Sequence, residues 1–322
     1  MVNPFYPQRY VNPVTDFGFK RLFGTESNKD LLIDFLNAII GLDEEERIHD
    51  VTFLNPEQLG STKEKRNAVY DIFCLTEHGD HVIVEMQNEP VRFFKDRSVF
   101  YSAFPIRDQA VKGRDWNFEL KAVYAVGLLN FCFSDSKDDE RYLHRIQLMD
   151  TEARTVFYDK LTFVFAELPK FKKTEAELAT QLDKWLFAIN HLCELDEPSP
   201  ALTGEVFEKL FHEAAVASFS AVEAKAYFYS QKQYWDYVNS IEMAEMRGRH
   251  IGTHIGYEKG INAGLKIGEE KGREEGLKIG EEKGREVGIK DGIESNRIKV
   301  MEAMKALGLS NEIIANVMDA SR

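Results

Sequence analysis

Between residues 16 and 41, apolar side chains recur at mixed intervals of three and four, at Phe17, Leu22, Phe23, Leu31, Leu32, Phe35, Leu36 and Ile39, until Gly41. That period predicts an amphipathic helix ended by the glycine, with a break near Gly24 to Asn28 dividing it in two. From 48 to 87 the period shortens to that of strands, in IHDVTFLN, AVYDIFCLTE and DHVIVEMQ. Residues 92–112 again read as helix, and KAVYAVGLLNF (121–131) has the length of a buried strand. After an acidic loop at 134–140, IQLMD and KLTFVFAEL fit two or three further strands. This mixed order predicts an α/β domain, a central sheet covered by helices. From about 172 to 246 the pattern is helical, with Leu178, Leu182, Trp185, Leu186, Ile189 and Leu192 on one stripe and Pro198 and Pro200 closing that helix.

The pattern then changes abruptly. Glycine stands at every fourth position from Gly248 to Gly292, and GLKIGEEKGRE occurs twice, beginning at 264 and 276. A four-residue step advances about 40° around a helix, so the glycine stripe winds around it and no straight partner could follow. Periods above 3.6 suit a right-handed wrap, and small residues allow close backbone approach. Each interior glycine nevertheless costs about 1 kcal/mol relative to alanine, which makes the helix improbable in isolation. Two readings stand: a self-association element that is helical when paired, which we favour and which would make the chain a homo-oligomer, or a flexible spacer. The final stretch, from about 294, reads as two short helical pieces hinged at GLS (308–310), with Ser310 placed to cap the second. The expected organisation is a core at 1–171, a helical extension at 172–246, the repeat at 247–293 and a helical pair at 294–322.

At 43% hydrophobic the chain can bury a proper core. No apolar run approaches the ~20 residues of a membrane helix, and the opening MVNPFYPQRY lacks a signal-peptide layout, so the expected location is the cytoplasm. Cys74, Cys132 and Cys193 lie far apart in apolar contexts without CxxC spacing, and read as buried hydrophobes rather than zinc ligands. A net charge of −13 excludes bulk coating of nucleic acid. The repeat is almost balanced, with twelve basic and ten acidic residues from 247 to 299, so the acidic excess belongs to the folded part and the repeat is no basic arm. Local DNA contact could come from Lys63, Lys65 and Arg66, or from Arg92, Lys95, Arg97, Arg107, Lys112 and Arg114. Both stretches also read as ordinary solvated faces.

The chemistry centres on a hairpin. If Glu77, His78 and Gly79 form a three-residue loop, Thr76 faces Asp80, and counting back along the ladder places Asp71 opposite Glu85. Facing Cβ atoms lie about 4.5–5.5 Å apart, so two carboxylates there repel each other. Either one stays protonated, or a divalent cation lies between them. Two carboxylates with no His or Cys suit Mg²⁺ or Mn²⁺. Gln87 shares the face of Glu85, while Met86 points into the core and leaves its carbonyl as a further ligand. A one-residue slip would separate the acids. The alternative is a pair of solvent-facing acids matched by Lys or Arg.

Residues 12–133 resemble the bacterial recombination-promoting nuclease and transposase family (the Rpn family), within the PD-(D/E)XK nuclease superfamily. The resemblance rests on DFGFKRLFG (16–24), VYDIFC, VIVEMQ (82–87), RSVFYSAFPIRDQAVKG (97–113) and KAVYAVGLLNF, with ELPKF (167–171), DKWL (183–186) and the glycine repeat extending it. It implies a restriction-endonuclease-like core and a metal-dependent DNA endonuclease acting in recombination or element mobility, with Asp71 and Glu85 as metal-binding acids. Gln87 stands where the superfamily more often has lysine. An amide can only orient water, so more of its activation would fall on the metal. Asp16 and Lys20 match the opening motif, which implies Asp16 as a possible additional metal ligand and Lys20 near the substrate; an N-cap role for Asp16 is the alternative. Arg97 and Tyr101, four residues apart, could grip a phosphate, or be a surface arginine beside a packed tyrosine. Glu167 reads as structural. From a different class, the chain could be a non-catalytic DNA- or partner-binding protein on a decayed nuclease fold.

Overall fold

The computed structural model describes residues 8–58, 68–110, 117–135 and 139–320, and divides into two units, 1–239 and 240–322. Lys63, Lys65, Arg66, Lys112 and Arg114 lie outside the described residues.

In the first unit the opening amphipathic segment is two helices, α1 (Asp16–Phe23) and α2 (Lys29–Ile40), separated by a short 3-10 turn. Thr15 caps α1 by accepting from Gly18 N–H at 3.1 Å. The N-cap is therefore Thr15, and Asp16 is the first helical residue. Gly41 ends α2 at φ 69°, a left-handed position that glycine occupies without a Cβ penalty. The strands are β1 (Val51–Phe53), β2 (Glu57–Gln58), β3 (Ala68–Val69), β4 (Ile72–Thr76) and β5 (His81–Gln87), then α3 (Phe94–Asp108), β6 (Val123–Leu129), β7 (Leu143–Asp150) and β8 (Thr155–Glu167). The expected strand from 68 to 77 is thus split, with a bend at Asp71. Two helices, α4 (Gln181–His191) and α5 (Glu205–Ala214), follow before α6 begins at Ala221.

Six strands form one mixed sheet in the order β1-β4-β5-β6-β8-β7. The inner strands β5, β6 and β8 run parallel, and the hairpin partners and edges run antiparallel. Side chains alternate across it. Ile72, Cys74, Val82, Val84, Met86, Val126, Leu128, Val164 and Ala166 face a core built with α1, α2, α4 and α5. Phe73, Ile83, Ala125, Leu129, Phe163 and Phe165 face the other way, where α3 covers the sheet with Phe94 and Phe104. β7 and β8 start earlier in the chain than their apolar cores suggest, because polar residues in their outer halves still pair at the sheet edge.

Trp185 of α4 is fully buried among the rings of Phe23, Phe35 and Phe207, and its Nε1–H donates to Asp34 Oδ1 at 2.6 Å. The cysteines divide: Cys74 is buried, Cys193 is intermediate and Cys132 is exposed, correcting the expectation that all three are buried. Cys132 lies just beyond the end of β6, where the chain leaves the sheet.

The helix α6 spans Ala221–Ala306. Within the second unit its glycines have no non-helical neighbour within 4 Å of an added Cβ, and Ile251, Ile255, Leu265, Ile267, Leu277 and Ile279 are exposed. Gly308, at φ 83°, follows it, and α7 (Asn311–Ala320) folds back so that Arg297 donates to Met318 O at 3.1 Å. No helix among the described residues is long and apolar enough to cross a membrane.

The Phe23 ring lies 5.2 Å from those of both Phe19 and Phe35 and 5.5 Å from Trp185. Phe23→Ala should destabilise the first unit by about 3–5 kcal/mol, since this rigid aromatic cluster cannot collapse into the gap. A urea unfolding midpoint equal to that of the unsubstituted chain would contradict this packing.

Candidate metal centre

The hairpin between β4 and β5 sets the position of the acids. Gly79 has φ 85°, Thr76 N–H donates to Asp80 O at 2.9 Å, and the ladder pairs Leu75 with His81, Cys74 with Val82, Phe73 with Ile83 and Ile72 with Val84. This is the register that brings Asp71 across from Glu85. The ladder stops one step earlier than a continuous strand would. Tyr70 N–H turns away to Pro56 O at 3.0 Å, and the carboxylate of Asp71 takes the vacated position, with Oδ2 accepting from Met86 N–H at 2.8 Å.

The direction of the Met86 carbonyl follows from the neighbouring ladder. His81 N–H donates to Ala122 O and Gln87 O accepts from Asn130 N–H, so the odd-numbered residues of β5 turn their backbone groups toward β6. Backbone groups alternate along a strand, which turns both N–H and C=O of Met86 toward Asp71. Its side chain packs in the core on the opposite face from Glu85 and Gln87.

Around the acids lie the other residues that the sequence points to. Lys20 Nζ is 2.6 Å from Asp16 Oδ1 and 3.9 Å from Asp71 Oδ1, so Asp16 reaches the site through Lys20. Among the described residues no three His, Cys, Asp or Glu side chains gather into a metal cage. Arg97 comes from α3, its Nη2 3.5 Å from Glu85 Oε2 and hydrogen-bonded to Gln87 Oε1. Its guanidinium lies 5.7 Å from the Phe94 ring and 5.5 Å from that of Tyr101. Arg97 is therefore no ordinary surface arginine. Nor are the acids simply solvent-facing: the side chains of Asp71 and Glu85 are 26% and 17% exposed, although each has a cation beside it.

Some participants carry no sequence signal strong enough to find them. Tyr70 donates from its hydroxyl to Tyr101 O at 2.9 Å, tying the bend beside Asp71 to α3. Ser98 and Gly127 join Glu85, Arg97 and Tyr101 around a cavity of about 20 Å³, room for one water. Gly127 pairs with Glu85 across the ladder, and a Cβ there would meet the Phe165 ring at 2.8 Å. The spacing Phe94-x-x-Arg97-x-x-x-Tyr101 is the one clue that aromatic rings flank the arginine. Glu167, read as structural, is buried and accepts from Phe133 N–H at 2.9 Å, with His144 and Lys170 alongside it.

The family described as PD-(D/E)XK nuclease family transposase matches residues 13–244. The chain belongs to that family. No curated protein and no solved structure matches it. The family match covers the whole sheet of this PD-(D/E)XK chain and every residue at the centre just described.

The donors fit a hard divalent cation. All are oxygens, and Glu85 Oε1 is buried with no hydrogen-bond partner. A Mg²⁺ ion commonly uses only one or two carboxylates, completing its shell with water and substrate phosphate. Burial, with the Asp71 carboxylate beside it, pushes Glu85 up to about 8 against the pull of Arg97 and Lys20. Burial also raises Asp71, opposed by the Met86 N–H bond and Lys20.

A pH dependence follows for the chain treated with a chelator. Between the ordinary glutamate value of 4.5 and about 8, the folded state holds a Glu85 proton that the unfolded state has lost. Stability should therefore fall as pH rises through that window. Glu85→Gln should flatten this part of the profile, and excess Mg²⁺ at pH 8 should raise the melting temperature of the unsubstituted chain more than that of the variant. Parallel pH profiles for the two proteins would contradict the assignment.

Proposed function

We propose that this chain is a metal-dependent DNA endonuclease that hydrolyses phosphodiester bonds in recombination or element mobility. One observation carries the reading: two adjacent, largely buried carboxylates, one with an oxygen lacking any partner, beside a backbone carbonyl turned the same way. Like charges so placed are costly unless a cation or a proton intervenes.

Asp71, Glu85 and the Met86 carbonyl would hold Mg²⁺ or Mn²⁺. When bound, such an ion lowers the pKa of a coordinated water and neutralises charge on a phosphate. The Met86 N–H fixes the Asp71 carboxylate so that it need not reorganise when substrate arrives. Lys20 and Arg97 bring positive charge to either side of the acids, where a DNA phosphate would otherwise be repelled. Tyr101 holds the Arg97 guanidinium against its ring. Hydrolysis forms a P–O bond from water and breaks the bond to one deoxyribose oxygen, leaving a phosphomonoester and a hydroxyl. The family's description as a transposase supports placing this cut in recombination or the movement of an element.

A plasmid-nicking assay with Mg²⁺ or Mn²⁺ tests the proposal. The unsubstituted chain should cut, chelation should abolish cutting, and Asp71→Ala and Glu85→Ala should each lose at least about 10³-fold, the scale of losing a principal catalytic group. Cutting that survives both substitutions would remove the site from the reaction. Intact DNA throughout, with DNA binding retained, would favour the non-catalytic reading.

The same proposal assigns the repeat from 247 to 293 to self-association. Its support is the row of exposed isoleucines and leucines beside twelve glycines, a combination with little helical stability alone. By size-exclusion chromatography with light scattering, the full chain should be a homo-oligomer and a version ending near residue 245 should be smaller in subunit number. Identical oligomeric states would sink this assignment.

A further inference from the structure

Resting on the nuclease reading, we infer that Arg97 supplies the cationic charge at the reacting phosphate that a lysine two residues after the second acid would otherwise supply, and that Gln87 is a positioning residue for it. The sequence alone suggests that Gln87 orients water. Its amide, however, is occupied at both ends. Oε1 accepts from Arg97 Nη2, and Nε2 donates to Glu89 O at 3.1 Å. The partner of its oxygen is itself a cation.

Arg97 is built into the site rather than resting near it. It projects from the first turn of α3, the helix that covers this face of the sheet, with Phe94 at the helix's first position and Tyr101 one turn after Arg97. The rings flank the guanidinium and limit where it can go. Nη2 is the atom nearest both Glu85 Oε2 and Gln87 Oε1, which leaves other N–H donors of the planar fork for a phosphate oxygen. The opposite oxygen of Glu85 is the buried one without a partner. The arginine therefore engages only one oxygen of the Glu85 carboxylate and leaves the other without a hydrogen-bond partner.

The replacement changes the chemistry available. An arginine does not lose its proton in a protein, so it cannot serve as a base. Its contribution is confined to stabilising the negative charge that grows on the phosphate as water adds and the leaving oxygen departs. A cation acting at that stage affects kcat, whereas one that only grips DNA affects KM.

The test uses the full chain in Mg²⁺-dependent plasmid nicking. Arg97→Ala should lower kcat by about 10²–10³-fold, the range for removing one transition-state donor, with little change in KM. Millimolar guanidinium should restore part of that loss, and should restore nothing to Asp71→Ala. Gln87→Met should lower kcat in the otherwise unsubstituted chain but have little effect in an Arg97→Ala background, because the two act as one unit. Adding Gln87→Lys to Arg97→Ala should recover at least tenfold in kcat by returning a cation to the strand. Arg97→Lys, which keeps the charge, guards against loss of folding, and should fall between Arg97→Ala and the unsubstituted chain. If Arg97→Ala raises KM and leaves kcat unchanged, or if Gln87→Met costs as much without Arg97 as with it, the inference fails while the nuclease reading stands. Absence of cutting by the unsubstituted chain with either metal would overturn both.

Discussion

The hydrogen bond from Met86 N–H to Asp71 Oδ2 replaces a backbone rung with a carboxylate, and the geometry of the site depends on that replacement. Had the ladder continued, Met86 would have met the backbone of Tyr70, and Asp71 would have been one more residue on a regular strand. Instead Tyr70 N–H bonds to Pro56 O, the chain bends, and the Asp71 side chain fills the opening. The unmade rung leaves no donor orphaned, since a charged acceptor takes it at a normal distance. It also holds the Asp71 carboxylate close to Glu85, in surroundings that disfavour two negative charges.

That electrostatic problem is balanced locally and incompletely. Lys20 approaches Asp71 from α1 and Arg97 approaches Glu85 from α3, so cations from helices on opposite faces of the sheet meet near the end of β5. They do not cancel the burial cost, and Glu85 remains pushed up to about 8 with one oxygen unpartnered. A site whose own residues leave a deficit of positive charge binds a metal ion more strongly than one already neutral. In a chain of net charge −13, these two cations place positive charge directly beside the acids.

The regular parts of this arrangement are legible in the sequence. Alternation in VIVEMQ puts Glu85 and Gln87 on one face, and Gly79 fixes the hairpin length that brings Asp71 across from Glu85. The split between α1 and α2 and the stop at Gly41 follow from local glycine and helix signals. What the sequence hides are exceptions to regularity and contacts between distant segments. The bend at Asp71 depends on Pro56, fifteen residues away, taking the Tyr70 N–H, and no periodicity in 68–77 announces it. The pairing of Gln87 with Arg97 depends on how α3 lies over the sheet. The exposure of Cys132 illustrates the converse: its neighbours Phe131 and Phe133 are apolar, but the sheet ends at Leu129 and the alternation no longer determines burial.

The repeat obeys a different geometry, and that geometry constrains any assembly built on it. Leu265, Leu277 and Ile289 recur every twelve residues, as do Ile267 and Ile279. Twelve residues carry a helix about 120° beyond three full turns, so Leu265, Leu277 and Ile289 face three directions and the pattern closes only after about 54 Å. A single partner following this track would wrap nearly three times more tightly than the ~150 Å pitch of an ordinary two-stranded coil. Glycine permits close backbone approach but does not remove the bending that such a wrap requires. Helices that cross at Leu265 would therefore leave Leu277 of the next repeat facing elsewhere, open to another chain. Under the proposed self-association, this geometry favours contact at separate crossings over a continuous two-stranded seam.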